Sequence, residues 1–267
     1  MALLPGVYQA QKKDGTIYYR SSLTYQGKHI SLGSYVTELL AHQAYLLANQ
    51  LLTTDSITIE DYCMEESPLA FTKWVVLINF RDNKLYFKTP IYLKKNYFYY
   101  YLAPDKILKF DVDDLFYYST HSIMQRGSYL FVADYGMQVN IQSRYGIRNF
   151  AVKDRDYVFI NGDDTDYRYG NIKIINRYFG VYKKQHGLYY EAKIHINGDF
   201  IIGRYATEIE AAVAYNKAVL LLKEQNIQKD YQLNYIDSLD EIAYASLLSK
   251  VRISNKIRRY SQYQSLN

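Results

Sequence analysis

The sequence predicts an α+β protein. Two small modules, each a three-stranded sheet with one helix, flank a middle α+β segment, and a basic helix or tail ends the chain. Three observations carry this. An ordered repeat stands at both ends of the 267 residues. In its second copy a period-two strand runs into Asn197-Gly198, the strongest short hairpin signal. In both copies a Thr-Glu helix start is followed by small residues at helical spacing.

A missed repeat misassigns a whole architecture, so it comes first. Gly6-Val7-Tyr8 matches Gly180-Val181-Tyr182, and Tyr18-Tyr19 matches Tyr189-Tyr190. Gly27, Gly33 and Tyr35 match Gly198, Gly203 and Tyr205. Thr37-Glu38 matches Thr207-Glu208, and Ala41, Tyr45 and Ala48 match Ala211, Tyr215 and Ala218. Length differences fall at turns, where insertions are tolerated.

In the second copy Tyr190, Ala192, Ile194 and Ile196 alternate with Glu191, Lys193 and His195, the pattern of a half-buried strand. A further strand passes through Phe200, Ile201 and Ile202, and Gly203 suits a bend. Thr207 and Glu210 have capping-box spacing. Ala211, Ala214 and Ala218 would let the helix lie close on the sheet. In the first copy Arg20, Ser22 and Thr24 are expected outward, and Tyr19, Ser21 and Leu23 inward. The resulting segmentation is 1–54 and 179–236 for the modules, 55–70 for an acidic connector, 71–178 for the middle and 237–267 for the tail.

Composition sets bounds. With 49% apolar and 22% charged residues the chain can bury a core. One cysteine, Cys63, rules out a disulfide framework and a multi-thiolate zinc site. No stretch reads as a membrane span or a signal peptide, so a cytoplasmic protein is expected. The 32 tyrosines fit either AT-rich coding or a binding surface. The net charge is +5, and from Ile242 onward there is no acid. That tail holds Lys250, Arg252, Lys256, Arg258 and Arg259, which together equal the whole net charge. It reads as a phosphate-contacting arm, or else a solvated helix end. Thr53 to Pro68 holds Asp55, Glu60, Asp61, Glu65 and Glu66 with no base, and reads as an exposed connector.

The helix covers one side of each sheet and leaves the other polar and open. The pattern G-V-Y…Y-E-A-K-I-x-I-N-G…I-G-x-Y-x-T-x-x-E-A-A-x-A-Y resembles the ethylene-response-factor (APETALA-type) DNA-binding domain. The likeness covers about 55 residues of the second copy and, more weakly, about 50 of the first. In that family the sheet lies in the major groove of duplex DNA and outward Arg and Lys reach bases and phosphates. The resemblance implies contacts from Tyr182, Lys184, Lys193, His195 and Arg204, and from Tyr8, Lys12, Lys13, Arg20, Ser22 and Lys28. The chain departs from the family in lacking the usual run of arginines on the first strand, and in placing Glu191 on the reading face. Two copies would add avidity where both reach.

The middle segment ends VFINGDDTDYRYGNIKII, from Val158 to Ile175. This resembles the closing part of HNH homing endonucleases, retaining Asn161-Gly162-Asp163, Asp166, Arg168 and Asn171. ILKFDVDDLFYYSTHS resembles the strand and helix that open such domains. An ethylene-response-factor-type module often follows in that family, as at Gly180 here. Metal-assisted phosphodiester cleavage needs a general base and metal ligands. The family's Asp-His pair is Val158-Phe159 here, its upstream His is Ser143, and an Asn is Tyr167. The retained residues then read as turn and capping types. No catalytic residue, metal or cofactor is expected.

Other candidates are weaker. His29, His42, His121, His186 and His195 show no ligand spacing. Asp111, Asp113 and Asp114 read as a strand-to-helix cap before a cation site. Asn96 to Tyr101 reads as a core strand before a stacking platform. Three functions follow in order. The first is a non-catalytic duplex-DNA-binding protein derived from a phage or mobile-element nuclease, nucleoid-associated in a bacterial host. The second is an inhibitor that binds a host defence protein or nucleoprotein through its tyrosines. The third is a nuclease rearranged around Asp163 and Asp166.

Overall fold

The computed structural model describes residues 3–184, 188–227 and 229–260. His186 and the last seven residues of the basic tail lie outside the described residues. The class is α+β. The chain forms two compact units. One comprises the residues up to Ile141 together with Asp163–Asn171, the other Gln142–Gly162 together with Ile172 onward. The segment 71–178 is therefore not a separate domain. Its first part completes the core of the N-terminal module, and Tyr178 at its end enters the core of the C-terminal one.

In the first unit β1 (Val7–Gln11), β2 (Ile17–Tyr25) and β3 (Lys28–Tyr35) form an antiparallel sheet, covered by α1 (Glu38–Thr53). Thr37 caps the helix through Leu40 N. Leu23, Ile30 and Leu32 meet Ala44, Ala48 and Leu51 in the core. α2 (Phe71–Asn83) packs on α1 and brings Trp74, Leu77 and Phe80 into that same core. The acidic connector is not a free linker. Ile59 and Leu69 are buried in the core, and Trp74 Nε1 donates to Thr58 O. Buried Arg81 donates to the Leu51, Thr54 and Ile57 carbonyls, satisfying the end of α1 and pinning the connector. Its acids stay largely on the outside.

Beyond α2 come β4 (Ile91–Leu93), β5 (Tyr97–Ala103) and β6 (Lys106–Asp111), one antiparallel sheet. Phe98 and Tyr100 of β5 are fully buried, so this tyrosine run is a core strand. α3 (Leu115–Thr120) follows, then the meander β7 (Ile123–Arg126), β8 (Tyr129–Asp134) and β9 (Met137–Asn140). The carboxylates before α3 make no side-chain cap. Asp111 instead accepts from Tyr169 N, and Asp114 from the Tyr169 hydroxyl. They hold the 163–171 segment against β6, where Lys109 N donates to Thr165 O.

In the second unit β10 (Tyr157–Phe159) pairs with β11 (Ile172–Ile174). The sheet β12 (Val181–Lys183), β13 (Tyr190–His195) and β14 (Asp199–Tyr205) is covered by α4 (Glu208–Glu224). The Thr207–Glu210 capping box is present. α5 (Glu241–Lys250) and α6 (Asn255–Arg258) both pack on α4. The described part of the tail is thus not a free arm. Val251, Ile253, Ile257 and Tyr260 are buried, while Arg252, Lys256, Arg258 and Arg259 face out. Ser254 N donates to Ile202 O and the Tyr205 hydroxyl to Arg252 O, so the tail runs along the β14 edge.

The repeat is structural. In both sheets the register shifts at one place, between Ser21 and Ser22 and between Ala192 and Lys193. The extra residue, Leu32 or Ile202, is buried in the core. Gly6 and Gly180 have positive φ, and a Cβ on either would collide with the ring of Tyr45 or Tyr215. Their carbonyls accept from Ser22 N and Lys193 N at the bulge. Among the described residues no helix is long and apolar enough to cross a membrane.

Candidate nucleic-acid interface

Alternation along β13 puts Glu191, Lys193 and His195 on the side away from α4. Cross-strand pairing adds Tyr182 and Arg204, both opposite Glu191. The Glu191 carboxylate is almost fully buried although it stands on the open side, because cations roof it. Lys184 Nζ lies 3.0 Å and Lys193 Nζ 3.2 Å from Oε1, and Arg204 Nε lies 3.4 Å from Oε2. Burial pushes this carboxyl up, but the ammonium groups of Lys184 and Lys193 more than offset it and hold it below the usual range. Three cations on one anion leave the cluster positive. Glu191 is therefore the counter-ion that fixes these cations in one array.

A groove of about 940 Å³ runs beside this array. Its sheet side carries Tyr182, Lys183, Lys184, Lys193, His195 and the carboxylate Asp199; its other wall carries Arg148, Arg155, Asn176 and the carboxylate Asp154. The Tyr182 ring lies 5.4 Å from the Arg155 guanidinium and 5.9 Å from Lys193 Nζ. His195 Nδ1 is 2.7 Å from Asp199 Oδ1. A second groove, about 660 Å³, lies between β14 and the tail and is lined by Arg204, Arg252 and Lys256. The tail therefore extends the cationic row across the sheet edge. Lys250, Arg258 and Arg259 are exposed but line neither groove.

The N-terminal module presents a different face. Tyr8 is 57% exposed and stands opposite Arg20, the position that pairs with Tyr182 in the other copy. Arg20 donates to the Tyr18 hydroxyl at 2.7 Å. Lys12 and Lys13 are exposed in the β1–β2 turn beside Asp14. Two expected contacts are corrected here. Ser22 is on the open side by alternation but is buried. Lys28 pairs with Tyr25, which packs edge-on against Phe80, so Lys28 shares the helix side; its ammonium lies 5.3 Å from the Tyr86 ring. Where the second copy places Lys184, Lys193 and Arg204, the first has Ala10, Ser22 and Ser34.

Sequence reasoning missed Arg148, Arg155 and Lys183. Lys183-Lys184 was readable as a basic pair, but nothing in the sequence ties Arg155 to the strand that carries Tyr182.

The nuclease-like residues have other work. Asp163 accepts from Thr165 N and Oγ1 within its own turn. Buried Asp166 takes a bidentate pair from Arg168, at 2.9 and 2.7 Å. Asn171 Nδ2 donates to the Asp166 carbonyl. Burial raises the Asp166 carboxyl, and the Arg168 hydrogen bonds outweigh that and lower it. The positions that the resemblance aligned with the nuclease family's base and metal ligands hold Val158, Phe159 and Ser143. Phe159 is buried, and neither it nor Val158 can ligate a cation. This donor set does not fit a divalent metal. Among the described residues no three His, Cys, Asp or Glu side chains come together as ligands.

Comparison with protein-family models, with curated proteins and with solved structures found no match to this chain.

Proposed function

We propose that the protein binds nucleic acid, as duplex DNA, through the open face of its C-terminal module and the docked tail, without cutting it. The observation that carries this reading is the fixed cation array around Glu191, continued by Arg252 and Lys256. Ordered cations spaced along a sheet suit phosphates, which contribute most of the affinity in such complexes. The face has few groups suited to direct base readout, so binding is led by the backbone. In this reading the middle segment, with Val158 and Phe159 where the nuclease motif would carry Asp-His, serves as scaffold. A gel-shift titration with a labelled duplex over a salt series tests this. Micromolar binding that weakens steeply with salt is expected; no binding at low salt overturns it.

One observation favours a second reading, a protein partner. Leu39 and Leu46 on the outer side of α1 are exposed, at 60% and 54%. Their repeat equivalents in α4 are Ile209, half-buried, and Asn216, buried and bonded to Asn234 and Tyr244. Recovery of a bacterial partner protein that survives nuclease treatment, and is lost with Leu46→Glu, supports this reading.

A further inference from the structure

The wall of the larger groove has an architecture of its own. Its centre is Asp156, 1% exposed. This carboxylate accepts from Val152 N at 2.8 Å, from Asn176 Nδ2 at 3.1 Å and from Arg155 NH2 at 2.8 Å, and lies 3.1 Å from Arg148 NH2. Asn176 in turn accepts from Lys183 N at 2.9 Å, which ties this segment to the edge strand β12. Burial raises the Asp156 carboxyl, and the Arg155 hydrogen bonds, with Val152, Asn176 and Arg148, lower it further than burial raises it. Arg155 is left about half exposed, one side against Asp156 and the other over Tyr182. Arg148 is held behind it, over the Phe179 ring.

We infer that Arg155, fixed by Asp156 and stacked on Tyr182, is a phosphodiester-contacting residue, and that this wall adds a row of backbone contacts parallel to the row on the sheet. The inference rests on the nucleic-acid reading above and names residues outside the sheet as part of that site. Arg148 and Arg155 share the buried Asp156, and Asp154 also lines the wall, so its charges balance and Arg155 attracts a phosphate as a local exposed guanidinium and not through net charge. A guanidinium held on two sides loses little rotamer freedom on binding, and its planar fork matches two phosphate oxygens. Arg155 and Lys193 both lie against the Tyr182 ring, which joins wall to sheet. Asp156 is a positioning residue: it acts only through the arginines.

The test uses the full chain, a fluorescein-labelled duplex and anisotropy across a salt series. Losing one phosphate contact lowers the salt slope by about one and costs about eightfold at ~0.1 M salt. Arg155→Ala is expected to show both; because it also takes a partner from buried Asp156, a lowered melting temperature is expected and the titration is run well below it. Arg155→Lys should keep the slope and lose part of the affinity. Asp156→Asn removes a negative charge, so electrostatics alone predicts tighter binding, whereas the positioning role predicts weaker binding. Its fold is checked by thermal melting, and Arg155→Ala carries the test if it unfolds. Unchanged affinity and slope for Arg155→Ala, while Lys193→Ala weakens binding, overturns the inference and leaves the sheet reading intact. Failure of the unaltered protein to bind any duplex at low salt overturns both.

Discussion

The two terminal modules share a scaffold and differ in what they present. Both have the glycine under a tyrosine ring, the bulge at one register and an alanine-lined helix on the sheet. At the central position of the open face the charge is inverted. The C-terminal copy has an anion, Glu191, among three cations; the N-terminal copy has a cation, Arg20, among Ala10, Ser22 and Ser34. On the helix side one copy is covered by α5 and the tail, while the other keeps leucines exposed. Packing constrains the shared positions, because a change there meets other atoms. The open faces touch solvent, so each can take a different partner.

The first prediction would break the comparison. Lys184→Glu with Lys193→Glu should weaken duplex binding on the order of a hundredfold at ~0.1 M salt, by removing two phosphate contacts and adding repulsion. Arg20→Glu should cost no more than about threefold in the same anisotropy titration. Equal losses would mean that both faces bind alike. A second prediction would sharpen the shared scaffold. Gly6→Ala and Gly180→Ala should each cost about 2 kcal/mol in urea unfolding, from the tyrosine clash and the positive φ. A neutral result at either position would deny that the tyrosine packs there.

A third concerns Glu191. Its carboxyl is depressed in the folded state, so its contribution is present above the unfolded value and is lost as pH falls through the folded one. The difference in melting temperature between Glu191→Gln and the unaltered protein should be largest near neutrality. It should shrink only below about pH 4. A difference independent of pH would remove Glu191 as the counter-ion. The smallest effect is at Ser21, fully buried with no partner for its hydroxyl, where the other copy has Ala192. Ser21→Ala should be neutral or stabilise by up to about 1 kcal/mol in the same unfolding assay.

Much of each module was legible in the sequence. The Asn197-Gly198 turn, the Thr207–Glu210 box and the alanine spacing are local signals, and local signals report local structure. Glu191 was legible as an outward residue on the strand. Its near-complete burial was not, because the roof comes from Lys184 and Arg204 on neighbouring strands. Ser22 and Lys28 were misplaced for different reasons. A dense sheet face can bury a serine that points outward, whereas Lys28 stands two residues before buried Ile30 with no bulge between them, so plain alternation already put it on the helix side. Arg155 was hidden by reading its segment as a nuclease remnant.

The sequence by itself determined the α+β class, the repeat, and its turns and caps. These depend on residue type and short spacing. Only the tertiary structure decided that the middle segment is shared between two units, that the tail docks along β14, and that Asp156 fixes Arg155 at the edge of a groove. Those outcomes rest on contacts between residues far apart in the chain. Which long-range contacts form is set by the fit of whole surfaces, and that fit has no period or motif to read.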